Sequence, residues 1–288
     1  MSSAARPWAI LALVLLGLLA VASAAAPLVA WALGHDPTEV DLLNRFEPPS
    51  ADHPLGTDDI GRDVLLRLLY GGQVSLAVGF TAAVFAATIG TAVGLIAGYF
   101  GGRFDAILMR LTDGVIALPL LPLLIVLAAV DLSKLGLGDL AGSESVSLYR
   151  IIVIIALFGW TTVARLVRGT TLSLLSRDFV KAAIAMGAGP ARIMLVHILP
   201  NAMSPIIVAT TLAVGNVILF ESVLSFLGLG IQPPVPSWGN MLTNAQEVIG
   251  TAPWLAIWPG LLILLTVASC NLLGDALQDR LDPRARLR

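Results

Sequence analysis

Long apolar runs separated by short polar segments dominate the chain. Six of them approach or exceed the length of about 18 residues that suits a bilayer core of roughly 30 Å. The pattern therefore predicts six spanning helices, and we expect the fourth to continue through the sequence ARLVRGTTLSLL. The approximate bounds are Trp8–Leu33, Val74–Tyr99, Ala106–Val130, Ile151–Val167, Pro205–Leu229 and Leu255–Leu273. Pro119 and Pro122 predict a kink in the third helix.

The composition supports a membrane protein. Only 12% of the residues are charged and 57% are hydrophobic, whereas a soluble domain carries about 25% charged residues. A soluble enzyme would have to bury several runs of spanning length, so we predict an all-α polytopic membrane protein. The first run, Pro7–Leu33, has 27 residues. That is longer than the apolar part of a signal peptide, and although ASAAA offers a cleavage site, we expect an uncleaved span.

The basic residues predict the orientation, because cytoplasmic loops of membrane proteins are enriched in Lys and Arg. With the N-terminus inside, 12 of the 17 basic residues are cytoplasmic and 5 are outside. The cytoplasmic set is Arg6, Arg103, Arg110, Arg165, Arg168, Arg177, Lys181, Arg192, Arg280, Arg284, Arg286 and Arg288, and the outer set is Arg45, Arg62, Arg67, Lys134 and Arg150. Both termini are then cytoplasmic, and the segment 34–73, with eight acids and three bases, lies outside.

The chain thus divides into residues 1–73, a helix plus an extracytoplasmic segment, and residues 74–288, a five-helix core. A cytoplasmic hairpin, residues 178–201, interrupts the core between the fourth and fifth spans. Asp178 suits the N-cap or the first turn of a helix reading FVKAAIAM. Gly187 and Gly189 accept unusual backbone angles, so we expect them to end that helix.

A second short helix, ARIMLVHIL, is expected to follow the glycines. Pro190 suits its first turn, and Pro200 is expected to stop it. Asn201 would then turn the chain, with Ser204 and Pro205 beginning the fifth span. Both helices of the hairpin are too short to be stable in water without a packing partner.

The first hairpin helix has an apolar face, and its role has two interpretations. Phe179, Ala182, Ala183 and Met186 recur at helical spacing. An apolar patch on a cytoplasmic loop indicates a partner surface, and small alanines permit close approach. Alternatively, the hairpin folds back on its own bundle or lies at the lipid interface.

The stretch KAAIAMGAGPARIMLVHILPN resembles the EAA loop of inner-membrane subunits of binding-protein-dependent ABC importers. In that family the loop is a coupling helix that docks in a groove of the ATPase subunit. Here Lys181 stands where an acid is usual, and Asp178 lies one turn earlier. The residues that the resemblance and the local pattern assign to coupling are Asp178, Phe179, Lys181, Ala182, Ala183, Gly187, His197, Leu199, Pro200 and Asn201.

Three further stretches resemble the C-type permease subunits of dipeptide, oligopeptide and nickel importers. They are HPLGTDDIGRDVLLRLLYGG, ESVLSFLGLGIQPPVPSWGNML and the last span with its tail, TAPWLAIWPGLLILLTVASCNLLGDALQDRLDPR. The resemblance implies a type I importer fold in a bacterial inner membrane. It also implies a B-type permease, two ABC ATPase subunits and an extracytoplasmic substrate-binding protein as partners. ATP and Mg would bind to the ATPases, and short peptides are favoured over nickel as cargo.

Catalysis within this chain is not expected. Its two lysines, Lys134 and Lys181, do not end a P-loop, and no HExxH pair or nucleophile–base constellation occurs in the sequence. We expect no cofactor or metal site in this chain and no nucleic-acid partner, only lipid and protein. A self-contained secondary transporter is the alternative, but such proteins show internal repeats and broken helices at the midplane. No repeat is evident here, and the most broken segment is cytoplasmic.

Outside the hairpin, two sets of polar residues carry hypotheses. Glu221 lies inside the fifth span, where a carboxylate is costly; it either lines the translocation path or an outer gate, or makes an interhelical hydrogen bond. Arg110 and Asp113, three residues apart, are expected to pair locally.

The outer segment before the second span predicts an interfacial amphipathic helix. We expect it to begin at Thr57 or Asp58 and to end after Tyr70, with Gly71 and Gly72 as its stop. Its role is packing on its own bundle, or else gating or contact with a docked binding protein. Its apolar face is Ile60, Val64, Leu68 and Leu69, opposite Arg62, Asp63 and Arg67.

Overall fold

The computed structural model describes residues 5–130, 144–243 and 245–281. Within these ranges every regular element is a helix, and the only strand-like pairing is an isolated bridge between Thr57 and Asp63. The all-α prediction is therefore confirmed. Four of the basic residues used for the orientation, Lys134, Arg284, Arg286 and Arg288, lie outside the described residues.

Eleven α-helices are described in these ranges, and we number them in chain order. They are α1 (Ala5–Ala24), α2 (Ala26–Leu33), α3 (Val64–Phe100), α4 (Gly102–Ala117), α5 (Leu120–Ala128), α6 (Glu144–Leu175), α7 (Asp178–Ala185), α8 (Pro190–Arg192), α9 (Leu199–Phe226), α10 (Ala245–Val248) and α11 (Trp254–Leu281). A π-helix, Ile193–Ile198, joins α8 directly to α9. Short 3₁₀ turns occur at Leu42–Asn44 and Asn240–Leu242.

Five of the described helices are long and apolar enough to cross a membrane, and a bent pair makes a sixth candidate. The bent pair is α4 with α5, which meet at 83°. Leu118 is extended (φ −77°, ψ 138°) because the ring of Pro119 disfavours a helical residue before it. Pro122 lies in the first turn of α5, where a missing N–H costs nothing. The predicted kink is thus confirmed, and its cause is Pro119.

The helix α3 begins later and runs further than predicted for the outer helix. Asp63, and not Thr57 or Asp58, is the N-cap: its Oδ1 accepts the Leu66 N–H at 2.8 Å. The helix then passes through Gly71 and Gly72 without stopping. A Cβ at Gly72 would lie 2.2 Å from Oγ of Ser23, so these glycines permit close packing rather than a turn.

The predicted interfacial helix is also wrong in its polar face. Asp63 and Arg67 are each only 3% exposed: Asp63 lies against the segment before α3, and Arg67 lies beside the loop that follows α9. Their charges meet other side chains: Asp63 contacts His53, and Arg67 lies beside Asp58. Both faces of the start of α3 are therefore buried in the protein.

The helices α3 and α6 form the most extensive packing in the bundle. Three glycines of α3, at four-residue spacing, lie against the α6 backbone: Gly90, Gly94 and Gly98. A Cβ at Gly94 would be 2.6 Å from the carbonyl oxygen of Ala164. As is usual between membrane helices, small residues allow the backbones to approach closely. The helix α6 also continues through ARLVRGTTLSLL, as expected from the sequence.

Two ion pairs join α4 to α6. Arg168 forms a bidentate pair with Asp105, with Nη2 2.6 Å from Oδ2, and Arg165 pairs with Asp113. The predicted local pair between Arg110 and Asp113 is therefore wrong, since Asp113 faces the neighbouring helix and Arg110 is exposed.

Candidate functional site

The hairpin begins with α7, as the sequence predicted. Asp178 occupies its first turn, and Arg177 is the N-cap. The helix ends in a Schellman motif: the N–H of Ala188 donates to the carbonyl of Ala183 at 3.0 Å, and that of Gly187 to Ile184 at 2.9 Å. Gly187 has φ +84°, which glycine adopts without steric cost.

The second glycine has a different role from the one predicted. Gly189 is extended, with φ −71° and ψ 162°, and is the N-cap of α8. Pro190 occupies the first turn of that helix, as predicted. One glycine, Gly187, therefore makes the turn, and Pro190 starts the next helix.

The second half of the hairpin is not a separate helix, which corrects the sequence prediction. Pro200 lies in the first turn of α9, and the chain runs helically from Pro190 to Phe226. The π-helix Ile193–Ile198 accommodates the proline, because the ring of Pro200 clashes with an α-helical carbonyl and lacks an N–H. The N–H of Leu199 donates to Met194, five residues back.

Asn201 supports this passage instead of turning the chain. Its Nδ2 donates to the carbonyl of His197 at 2.8 Å. Ser204 and Pro205 lie inside α9 and do not begin a new helix. The hairpin is consequently continuous with the fifth span.

The hairpin packs on the bundle with one face and leaves another uncovered. Val180 is fully buried in a cluster with Val163, Val167 and Ile198. Ala183 is 2% exposed, so it belongs to this buried face and not to the outer one predicted. One face of the hairpin therefore folds back on its own bundle, as the second interpretation predicted, whereas the partner surface on the exposed face stays a prediction.

The uncovered face is apolar and lies on one flank of α7. Phe179 is 45% exposed and Met186 is 81% exposed, with Ala182 exposed between them. Asp178 and Lys181 are exposed as well, Leu199 and His197 are half-buried, and Pro200 and Asn201 are exposed. The structure thus brings most of the predicted coupling residues to one end of the bundle.

Glu221, by contrast, is fully buried at the other end. Its Oε2 accepts the Ser75 hydroxyl of α3 at 3.2 Å, and its Oε1 accepts the Ser225 hydroxyl at 2.8 Å. Each serine oxygen in turn accepts a loop N–H: Ser75 from Trp238 at 3.2 Å, and Ser225 from Ile231 at 3.0 Å. We call these five residues the Glu221 bracket, since they hold the loop after α9 onto α3 and α9.

The bracket favours the packing interpretation of Glu221 in this conformation. The carboxylate is sealed from solvent and lies at the centre of the chain of hydrogen bonds, where it accepts one hydroxyl from each side. A role in the pathway or gate stays a prediction. Sequence reasoning missed the partners, although Ser225 lies one helical turn from Glu221 and could have been found from its spacing. Ser75, 146 residues away, gives no such signal.

Replacing Glu221 with Gln is expected to leave the protein folded but less stable by about 1–2 kcal/mol. An amide has a single oxygen acceptor, so one of the two serine hydroxyls loses its bond. Thermal unfolding of the purified protein measures the loss, with Glu221→Ala as the more damaging comparison. If the Glu221→Gln variant transports at the wild-type rate, the negative charge of Glu221 has no role in transport.

The helical fold and the hairpin at the end of the bundle opposite Glu221 together indicate a class of protein. An all-helical bundle with five or six candidate membrane spans and a folded hairpin at one end is typical of a polytopic membrane protein. Residues 90–287 match the family described as the binding-protein-dependent transport system inner membrane component. The chain belongs to this family.

Named relatives agree with the family over most of the chain. The dipeptide transport system permease protein DppC of Alkalihalophilus pseudofirmus is 42% identical, over 86% of this chain and 77% of the relative. The oligopeptide permease protein OppC of Bacillus subtilis is 39% identical, over 88% and 78%. The glutathione permease protein GsiD of Pectobacterium atrosepticum is 41% identical, over 86% and 77%.

Proposed function

We propose that this chain is the permease subunit that forms half of the pathway of an ATP-driven peptide importer. The observation that carries the proposal is the hairpin, whose apolar flank is uncovered while its other face is packed into the spans. ATP-driven closure of two ATPase subunits would move the hairpin and tilt the spans attached to it. The pathway would then switch between two discrete arrangements.

The connections of the hairpin support rigid transmission. Only Ser176 and Arg177 separate α6 from α7, and the π-helix makes the other end continuous with α9. Val180 of α7, Ile198 of the π-helix and Val167 of α6 share one buried cluster. A displacement of α7 therefore displaces the cytoplasmic ends of two spans together.

The remaining subunits follow from the same proposal. A B-type permease would provide the other half of the pathway. An apolar cavity of about 850 Å³ lies among α1, α3, α9 and α11 of this chain. ATP and Mg would bind to the two ABC ATPases and not to this chain. The chain would lie in the bacterial inner membrane with both termini in the cytoplasm, as the distribution of basic residues predicts.

The cargo proposed is a short peptide. The names of three relatives specify dipeptide, oligopeptide and glutathione transport, and all three cargoes are peptides. An extracytoplasmic binding protein would deliver the cargo to the outer end of the bundle.

Co-purification followed by reconstitution tests this proposal. Affinity-tagged chain is expected to bring a second permease and ABC ATPases from its native membrane. Vesicles containing that complex are expected to take up a dipeptide only with ATP and the binding protein. Purified chain that transports alone, or that brings no ATPase under conditions preserving other complexes, would show that the proposal is wrong.

A further inference from the structure

A second feature of the outer end is a polar cavity of about 290 Å³. It lies between the segment before α3 and the loop that follows α9. Arg67, whose side chain is 4% exposed, forms part of its inner wall. Gln232, which is exposed, and Asp59, whose side chain is 30% exposed, lie at its rim. The space is far larger than a single water molecule needs.

Arg67 has hydrogen-bonding capacity that the described residues do not use. Its Nη1 is buried and has no hydrogen-bond partner among them. Its Nε lies 3.4 Å from Oδ2 of Asp58, which is longer than a normal charged hydrogen bond. A buried donor left without an acceptor is costly and calls for an explanation.

Asp58 does not supply the missing acceptor for Arg67, because other donors already bond to both of its carboxylate oxygens. Its Oδ1 accepts the N–H groups of Ile60 and Arg62, each at 3.0 Å. Its Oδ2 accepts Nε of Arg62 at 2.7 Å. Arg62 therefore neutralises Asp58 directly, and the guanidinium of Arg67 remains the under-paired cation of the cavity.

We infer that this cavity binds the free carboxylate of a short peptide, with Arg67 as the group that receives it. A guanidinium presents its N–H donors as a planar fork that matches a carboxylate. The two arginines and two aspartates on the cavity sum to no net charge. A zwitterionic peptide, which is also neutral overall, therefore enters without a net electrostatic penalty.

The burial of Arg67 favours a small ligand over the surface of another protein as the occupant of the cavity. The Arg67 side chain is 4% exposed, and Gln232 and Pro233 of the loop line the same cavity. A free chain end reaches such a buried guanidinium more readily than a flat protein surface does. The Glu221 bracket fixes the wall opposite, since Ser225 and Ile231 line the cavity and are hydrogen-bonded to each other. A preorganised wall reduces the ordering cost of binding. The inference rests on the proposed function for the identity of the ligand.

Thermal unfolding of the purified transporter complex, without binding protein, tests the inference. Glycylglycine at about 20 mM is expected to raise the unfolding midpoint by about 2 °C, and glycylglycinamide, which lacks the carboxylate, to have no effect. Arg67→Lys keeps the charge beside Asp58 but loses the fork, so the rise should disappear. Arg165→Lys is the control, because it alters an arginine that does not line the cavity, and it should retain the rise.

A second variant covers the case in which Arg67→Lys does not fold. Gln232→Phe closes the rim while leaving every ion pair in place, and it should also abolish the response. Equal shifts with the two probes, no shift at all, or a shift that persists in both variants would overturn the inference. If only the concentration of binding protein needed for ATPase stimulation changed in Arg67→Lys, the carboxylate would come from that protein and the assignment to cargo would be wrong. Failure of the site with ATP-driven uptake intact would leave the proposed function standing.

Discussion

Phe179→Asp combined with Met186→Asp is expected to reduce ATP-driven uptake by a factor of about 100 or more. Burial of a large apolar side chain contributes about 1.5–3 kcal/mol, so losing two of them costs several kcal/mol of association with an ATPase subunit. Two introduced carboxylates would also have to be desolvated at the contact. Both side chains are exposed in the chain described, so the bundle itself should fold normally.

The same helix offers a matched control. Ile184 is 46% exposed, close to the 45% of Phe179, but it lies on the opposite flank of α7. Ile184→Asp should therefore retain most of the uptake and of the co-purified ATPase. Quantified ATPase in the affinity-purified complex and initial uptake rates in vesicles measure both variants. Equal losses from the two flanks would contradict a docking face made by Phe179 and Met186.

Gly94→Leu is expected to have the largest effect on folding. Its Cβ would lie 2.6 Å from the carbonyl oxygen of Ala164 and 2.7 Å from Cβ of Val167. Overpacking typically costs 1–3 kcal/mol, and about 3 kcal/mol or more is expected here because the nearest atom is backbone of α6. Since α3 and α6 form the main packing of the bundle, we expect little folded protein to be recovered from membranes.

Gly169 of α6 is the matched control for this substitution. It is exposed, and a Cβ there meets nothing within 4 Å. Gly169→Leu should therefore give near-normal yield and unfolding temperature. Size-exclusion profiles and thermal unfolding in the same detergent compare the two variants, and normal behaviour of Gly94→Leu would refute the close packing.

The sequence predicts the spans well because each is an apolar run that a bilayer requires. It predicts helix ends less well, because several residues near an end can cap it. Asp58 and Asp63 both fit an N-cap, and only the packing of the outer loop decides for Asp63. Gly71 and Gly72 show the same ambiguity, since glycine marks either a stop or a close approach of backbones.

Contacts between distant parts of the chain account for the remaining errors. Asp113 has a basic residue one turn away in Arg110, yet it pairs with Arg165 across the helix interface. Ala183 fits the apolar face of α7 by periodicity, but the side on which the bundle lies decides its burial. The five residues of the Glu221 bracket come from α3, α9 and the loop that follows α9, so spacing alone cannot identify the whole bracket.

The π-helix at Ile193–Ile198 has a consequence for comparing this chain with other members of its family. A single π turn holds one residue more than the α-helical turn it replaces. Loss of one residue there, together with replacement of Pro200, would convert it to α-helix while both flanks keep their faces, whereas the same loss within α9 would rotate one flank by about 100°. A one-residue gap in a family alignment at this point is therefore compatible with an unchanged architecture, and evolution can vary the length of the chain here without altering which side chains face the neighbouring spans.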